Sequence, residues 1–331
     1  MKKIIALVGL FFALTIISPV LAEETTADDI SSNPALTETM SIKDLGLANP
    51  SVLPGSLLYP LKTAFEKLQQ TLTFNEESAM KLDLSLANKR LAEANRLAEL
   101  GKIDKAKETL ENYSAKIEKA KEKIQKIEGL DNADKEKLNA KRREKLKNSQ
   151  NLFTESFFKH ILVLERVKNQ VPDEAKDSIT KNIDKAKEIL QERINNLNPD
   201  DADKAKEELN GILDQLPGTE IDKIEYLNTL NEIKDNLTPQ LKEKVGIIET
   251  ERVKKIGEFI NNNKLTKEKQ EKLLESLNKK IDLSKGKMQD LQTKIMKELP
   301  VKTVSLYNQI KEKLQGQKTQ SDGSLESVIP Q

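Results

Sequence analysis

The sequence predicts an all-α chain of elongated antiparallel helical hairpins and bundles with coiled-coil-like seams. Apolar residues recur at spacings of three and four over most of its length, which is one face of a helix. Glycine and proline are scarce, 12 and 11 in 331 residues, and they cluster where helices should stop. Hydrophobic residues make up 37%, aromatic residues 4% and charged residues 33%, with no tryptophan. That balance favours narrow apolar stripes on long helices over one thick core.

Residues 1–22 have the pattern of a secretory signal peptide. Lys2 and Lys3 form its positive start, Ile4 to Ile17 its apolar run, and Val20-Leu21-Ala22 its small-residue end before Glu23. The runner-up is a retained membrane anchor over residues 4–21, for which the apolar run is short against a span of roughly 20 residues. The expected location is therefore secreted or cell envelope. Residues 23–50 are polar and aperiodic, as a flexible tether would be.

The helical part begins after the Pro54-Gly55 turn signal. Leu57, Leu61, Ala64, Phe65, Leu68 and Leu72 share one helix face. Either this helix starts at Pro60 or a first turn capped by Ser56 is kinked there, because proline lacks the N–H. Thr73 to Glu77 cap a second helix, whose seam is Met80, Leu84, Ala87, Leu91, Ala94 and Ala98. Gly101 should end it in a left-handed cap, and Ile103 to Ile127 should return antiparallel.

Asp44-Leu45-Gly46, Leu53-Pro54-Gly55-Ser56 with Tyr59, Leu61 and Lys62, and Leu86-Ala87-Asn88-Lys89-Arg90-Leu91-Ala92-Glu93 resemble the bacterial domain of unknown function 5667. The run His160 to Val167 and Val171 to Lys176 resembles that family's second half, so the likeness covers roughly residues 44–190. It implies a helical module on exported bacterial proteins. It implies no activity and carries over no catalytic residue.

Leu130 to Ala133 read as the cap of a fourth helix reaching Gln170, with an aromatic core at Phe153, Phe157 and Phe158 beside Leu152, Ile161, Leu162 and Leu164. Pro172 with Asp173 and Glu174 opens the next helix, expected to reach Leu197. Further helices are expected to open near Asp200, Thr219, Thr238 and Thr266. In the helix that opens near Thr266, Leu274, Leu277, Ile281, Ser284, Met288, Leu291 and Ile295 form a second seam before Pro300. The expected division is a helical domain over 51–197, a C-terminal helical region over 198–315, and a disordered tail over 316–331. The motif Ile103-Asp104-Lys105-Ala106-Lys107-Glu108 recurs at Ile183 to Glu188, but the unequal separations favour helix-friendly composition over a repeat array.

Charge nearly cancels, with 55 basic against 54 acidic residues. That argues against bulk attraction to nucleic acid or an anionic membrane. With no cysteine, disulfides, cysteine-ligated zinc and thiol nucleophiles are excluded.

Three groups merit weighing as chemistry. His160 is the one histidine, with no serine–acid–base constellation beside it, and reads as a core or rim residue. Asp200, Asp201 and Asp203 lack the glycine and distant glutamate of an EF-hand loop and read as helix-start acids. Lys141, Arg142, Arg143, Lys145 and Lys147 are interleaved with Glu144, follow Glu136 and lack aromatics for base stacking. They read as an exposed, ion-paired helix face.

No catalytic, cofactor-binding or metal site is expected, and no cofactor. The expected partner is another protein or a second copy, not nucleic acid, and a membrane only if the N-terminal segment stays uncleaved. The expected function is a non-catalytic envelope interaction or structural module. Alternatives are a carboxylate-dependent enzyme acting on cell-wall glycans, and a chaperone-like protein. The two seams are expected to close within the chain.

Overall fold

The computed structural model describes residues 40–132, 140–198, 200–261, 265–283 and 288–323. Among them are eleven α-helices and no strand. They are α1 (Tyr59–Leu72), α2 (Glu76–Glu99), α3 (Ile103–Asn132), α4 (Ala140–Gln170), α5 (Asp173–Asn195) and α6 (Ala202–Gln215). Then come α7 (Ile224–Ile233), α8 (Pro239–Ile260), α9 (Lys267–Leu283), α10 (Gln289–Glu298) and α11 (Val301–Gly323).

Helix boundaries follow local chemistry. Tyr59 begins α1, so Pro60 falls in the first turn, where its missing N–H is no loss. Asn75 caps α2 by accepting from Ser78 N–H at 3.0 Å. At the far end Gly101 has φ +67°. There Lys102 N–H reaches Leu97 O and Gly101 N–H reaches Ala98 O, both at 2.9 Å, a Schellman close that turns the chain sharply into α3. Pro172 is the N-cap of α5, and Asp201 caps α6 through Lys204 N–H.

The α2–α3 hairpin is the most extensively packed pair, and α4 lies against α2 before pairing with α5. Both seams close inside the chain. Met80, Leu84, Ala87, Leu91, Ala94 and Ala98 are buried, as are Leu274, Leu277, Ile281, Met288, Leu291 and Ile295. Ser284 lies outside the described residues. One contiguous hydrophobic core runs from Met40 to Tyr307. The division expected between 197 and 198 is therefore no break in the core. For example, Phe158 of α4 meets the Tyr226 ring of α7 edge-on, centroids 6.1 Å apart.

Other expectations need correction. Residues 40–47 of the tether expected over 23–50 are packed rather than free, and residues 23–39 lie outside the described residues. Ser41 and Asp44 cap each other reciprocally, Ser41 N–H to Asp44 Oδ2 at 2.7 Å and Asp44 N–H to Ser41 Oγ at 3.2 Å. Gly46, at φ +77°, closes this single turn, which buries Met40, Ile42, Leu45 and Leu47. Its polar composition reflects the exposed half of a docked turn. Asp131 and Asn132, expected as caps, still belong to α3, because either costs only a few tenths of a kcal/mol in an established helix, about 0.7 at most. The span expected as one last long helix is described as α9 up to Leu283 and α10 from Gln289, with Met288 as the N-cap of α10, and residues 284–287 lie outside the described residues. The expected tail is helical up to Gly323, since extending a formed helix needs no new nucleus and Gly316 costs only about 1 kcal/mol. Leu152 is exposed rather than core. The predicted leader, residues 1–22, lies outside the described residues. Among the described helices none is long and apolar enough to cross a membrane.

Candidate interaction surface

The spacing puts Leu57, Leu61, Ala64, Phe65, Leu68 and Leu72 on one face of α1, and the structure sets the direction of that face. It points outward: Leu58, Leu61, Phe65, Leu68 and Leu72 are between 49% and 60% exposed, while Leu57 and Phe74 at its two ends are 94% and 88% exposed. Of the helix itself only Glu66 is buried.

The inward face is polar and is held by α2. Tyr59 Oη donates to Glu93 Oε2 at 3.0 Å, and Lys62 Nζ pairs with the same carboxylate. Arg90 donates to both Glu93 oxygens, at 3.0 and 3.2 Å, and pairs with Glu66. Lys62 Nζ and Arg90 Cζ lie 5.6 and 5.8 Å from the Tyr59 ring centroid, a cation–π arrangement. Further along, Gln70 Nε2 donates to Asp83 Oδ1 at 2.6 Å. Asp83 also pairs with Lys123, and Lys116 donates to Gln70 Oε1 at 2.9 Å. Glu93 and Asp83 are fully buried.

Electrostatics suit this arrangement. Burial, then the charge of Glu93, pushes the Tyr59 hydroxyl well above its ordinary value, so it stays a donor. Burial alone would lower Arg90, but Glu93 and Glu66 outweigh it and hold the guanidinium above its usual range. Burial lowers Lys116. A buried pair of this kind contributes little net stability, yet is costly to break because it strands a charge.

The three stretches that resemble domain 5667 meet here. Tyr59 and Lys62 come from the first, Arg90 and Glu93 from the second. Asn88 of the second accepts from His160 Nε2 at 2.6 Å, and His160 belongs to the third. Arg166, also of the third, donates to Met40 O at 2.8 Å, fastening the Ser41–Asp44 turn. These motifs thus spell out the polar contacts between α1, α2, α4 and the N-terminal turn.

His160 is fully buried between Tyr113 and Phe157. With Asn88 presenting its carboxamide oxygen, Nε2 carries the proton and Nδ1 accepts from Tyr113 Oη at 3.3 Å. Burial, with Lys159 nearby, pushes its pKa down to about 3, so the ring is neutral.

Asp201 caps α6 and pairs with Lys204 at 2.8 Å, and Asp203 pairs with Lys244 at 2.6 Å. Lys141, Arg142, Arg143, Lys145 and Lys147 lie exposed at the start of α4, and Glu136 lies outside the described residues. The buried carboxylates Glu66 and Glu93 share one cation, Arg90, while Glu249 faces Lys234 and Lys294.

Periodicity did not reveal that α1 turns its polar side inward. A signal was present: Tyr59, Lys62, Glu66 and Gln70 recur at three and four as regularly as the leucines. No curated protein and no solved structure matches the chain. Residues 51–174, which hold α1 to α4 and the start of α5, match the model of the family described as Domain of unknown function (DUF5667).

Proposed function

We propose that the protein is an exported, non-catalytic helical module that binds another protein, or itself, through the apolar face of α1. One observation carries this: a leucine–phenylalanine row at seam spacing is turned to solvent while the opposite face is clamped by buried ion pairs. Together the seven exposed residues present roughly 800 Å² of apolar surface, above the roughly 300–600 Å² of the largest patch on a typical monomer. The signal-peptide pattern over 1–22 supports export.

A photoreactive residue placed at Leu61 or Leu68 should give a covalent adduct on cells producing the full chain, and one at exposed Lys89 on α2 should not. A purified chain that is monomeric and yields no adduct from either seam position overturns the proposal. Export has its own test, mass spectrometry of the N-terminus in medium, envelope and cytoplasmic fractions. A start at Glu23 outside the cytoplasm is expected, and an intact Met1 confined to the cytoplasm overturns it.

The same exposed row supports a second, chaperone-like reading. Suppression of aggregation of an unfolded client, abolished by Phe65→Glu, would favour it over a fixed partner.

A further inference from the structure

The seam on α1 is nearly its own image when read backwards. Leu58 and Leu72 lie seven residues either side of Phe65, Leu61 and Leu68 lie four and three, and Leu57 and Phe74 lie eight and nine. We propose that the occupant of this face is a second copy of the chain, docked antiparallel so that two α1 helices pack about a two-fold axis beside Phe65. This deepens the reading of α1 as a docking surface and rests on it.

Under that symmetry Phe65 meets the partner's Phe65. Leu61 meets the partner's Leu68, and Leu58 the partner's Leu72. The contact is isologous, as two-fold dimers require. Spacings of three, four, three and four from Leu58 to Leu72 are those of a coiled-coil seam, which buries itself against a like helix.

The area agrees. An interface that also covers Leu57 and Phe74 would bury roughly 800 Å² per copy, the size of one side of a standard stable interface. Charge agrees as well, since Lys67 is the only charged residue among the exposed positions of α1. The two-fold sets it at the level of Thr63, so like charges do not oppose. The helix's other cation, Lys62, is committed to Glu93, which leaves an anionic bilayer little to hold, whereas interfacial helices carry rows of lysine or arginine. Because the polar face is already fastened, docking orders little that is not ordered in the monomer.

The chain has no cysteine, so single cysteines report geometry without background. In the purified chain lacking residues 1–22, sedimentation equilibrium should show a dimer that dissociates on dilution. Phe65→Cys should form a disulfide-linked dimer under mild oxidation. Leu58→Cys and Leu72→Cys should each fail alone but crosslink when mixed. Phe65→Glu should weaken dimerisation at least about 100-fold with unchanged unfolding, because the site is on the surface.

Self-crosslinking at all three positions would mean a parallel or non-specific contact and would overturn the proposal. So would a monomer at every concentration. A monomer that gives a seam adduct with a different protein on cells overturns self-association but leaves α1 as a protein-docking surface, whereas a monomer that gives no adduct and binds phosphatidylglycerol vesicles through α1 overturns both. A monomer that does neither overturns both.

Discussion

Replacing Arg90 with methionine tests what holds α1 in place. The guanidinium pairs with Glu66 and Glu93, and all three side chains are nearly free of solvent. Methionine keeps much of the stem's volume but removes the charge. Glu93 retains Lys62 and the Tyr59 hydroxyl, whereas Glu66 loses the cation it faces. Breaking a buried pair on one side costs about 3–5 kcal/mol. Here the cost should fall near the lower end, about 3 kcal/mol, because α1 can swing out and rehydrate Glu66 without opening the core.

Urea unfolding followed by circular dichroism would give the stability loss. Hydrogen exchange would locate it, with protection falling in α1 and persisting in α2 and α3. Adding Glu66→Gln should recover part of the loss by removing the stranded charge, which a double-mutant cycle would measure. A loss under about 1 kcal/mol with α1 protection unchanged would refute the idea that this ion network fastens the helix.

Three further outcomes follow from the packing. Phe157→Ala, at a fully buried ring 4.8 Å from the Phe153 centroid, should cost about 3–5 kcal/mol, and equal chemical stability would refute its place in the core. His160 should make the fold acid-sensitive. Its folded pKa of about 3 lies below the ordinary 6.5, so the unfolded chain binds the proton first and stability is lost as pH falls from 6.5 towards 3. The loss is about 1.4 kcal/mol per pH unit in that window, roughly 2 kcal/mol by pH 5. His160→Gln should flatten that part of the stability profile, and an unchanged slope would refute it. Gly218→Ala should destabilise by roughly 1–3 kcal/mol, since φ is +101° and the new Cβ would sit 2.6 Å from Asp222 Cβ and 2.8 Å from Met40 Sδ. An unchanged melting temperature would count against the close approach of that turn to Met40.

Much of the fold was legible in the residues alone. The Met80–Ala98 seam, the Gly101 close, the aromatic residues of α4 and the starts at Pro172, Asp201 and Thr238 are local statements. Spacing, capping groups and proline geometry act within a few residues and need no tertiary knowledge. Where the local rule is weak, as at Asp131, Asn132 and Gly316, helix propagation carried the chain past the expected stop. The docking of residues 40–47 was not local in this sense. The turn at Ser41–Asp44 is short and polar, and it is ordered by Arg166 and Tyr226, which lie more than 120 residues away in the chain.

Periodicity determined that α1 has one apolar and one polar face, and it could determine no more. Either face of an amphipathic helix can lie inward if the other is matched. Which one did so was decided by α2, whose Arg90, Glu93 and Asp83 are buried where α1 crosses and can be satisfied only by polar groups. A leucine row set against them would have removed Tyr59 and Lys62 from Glu93, Glu66 from Arg90 and Gln70 from Asp83, leaving these buried charges only the Arg90–Glu93 and Asp83–Lys123 pairs, at a cost of roughly several kcal/mol. Desolvation of those charges outweighed the burial of the leucines, and so the apolar face was left to solvent.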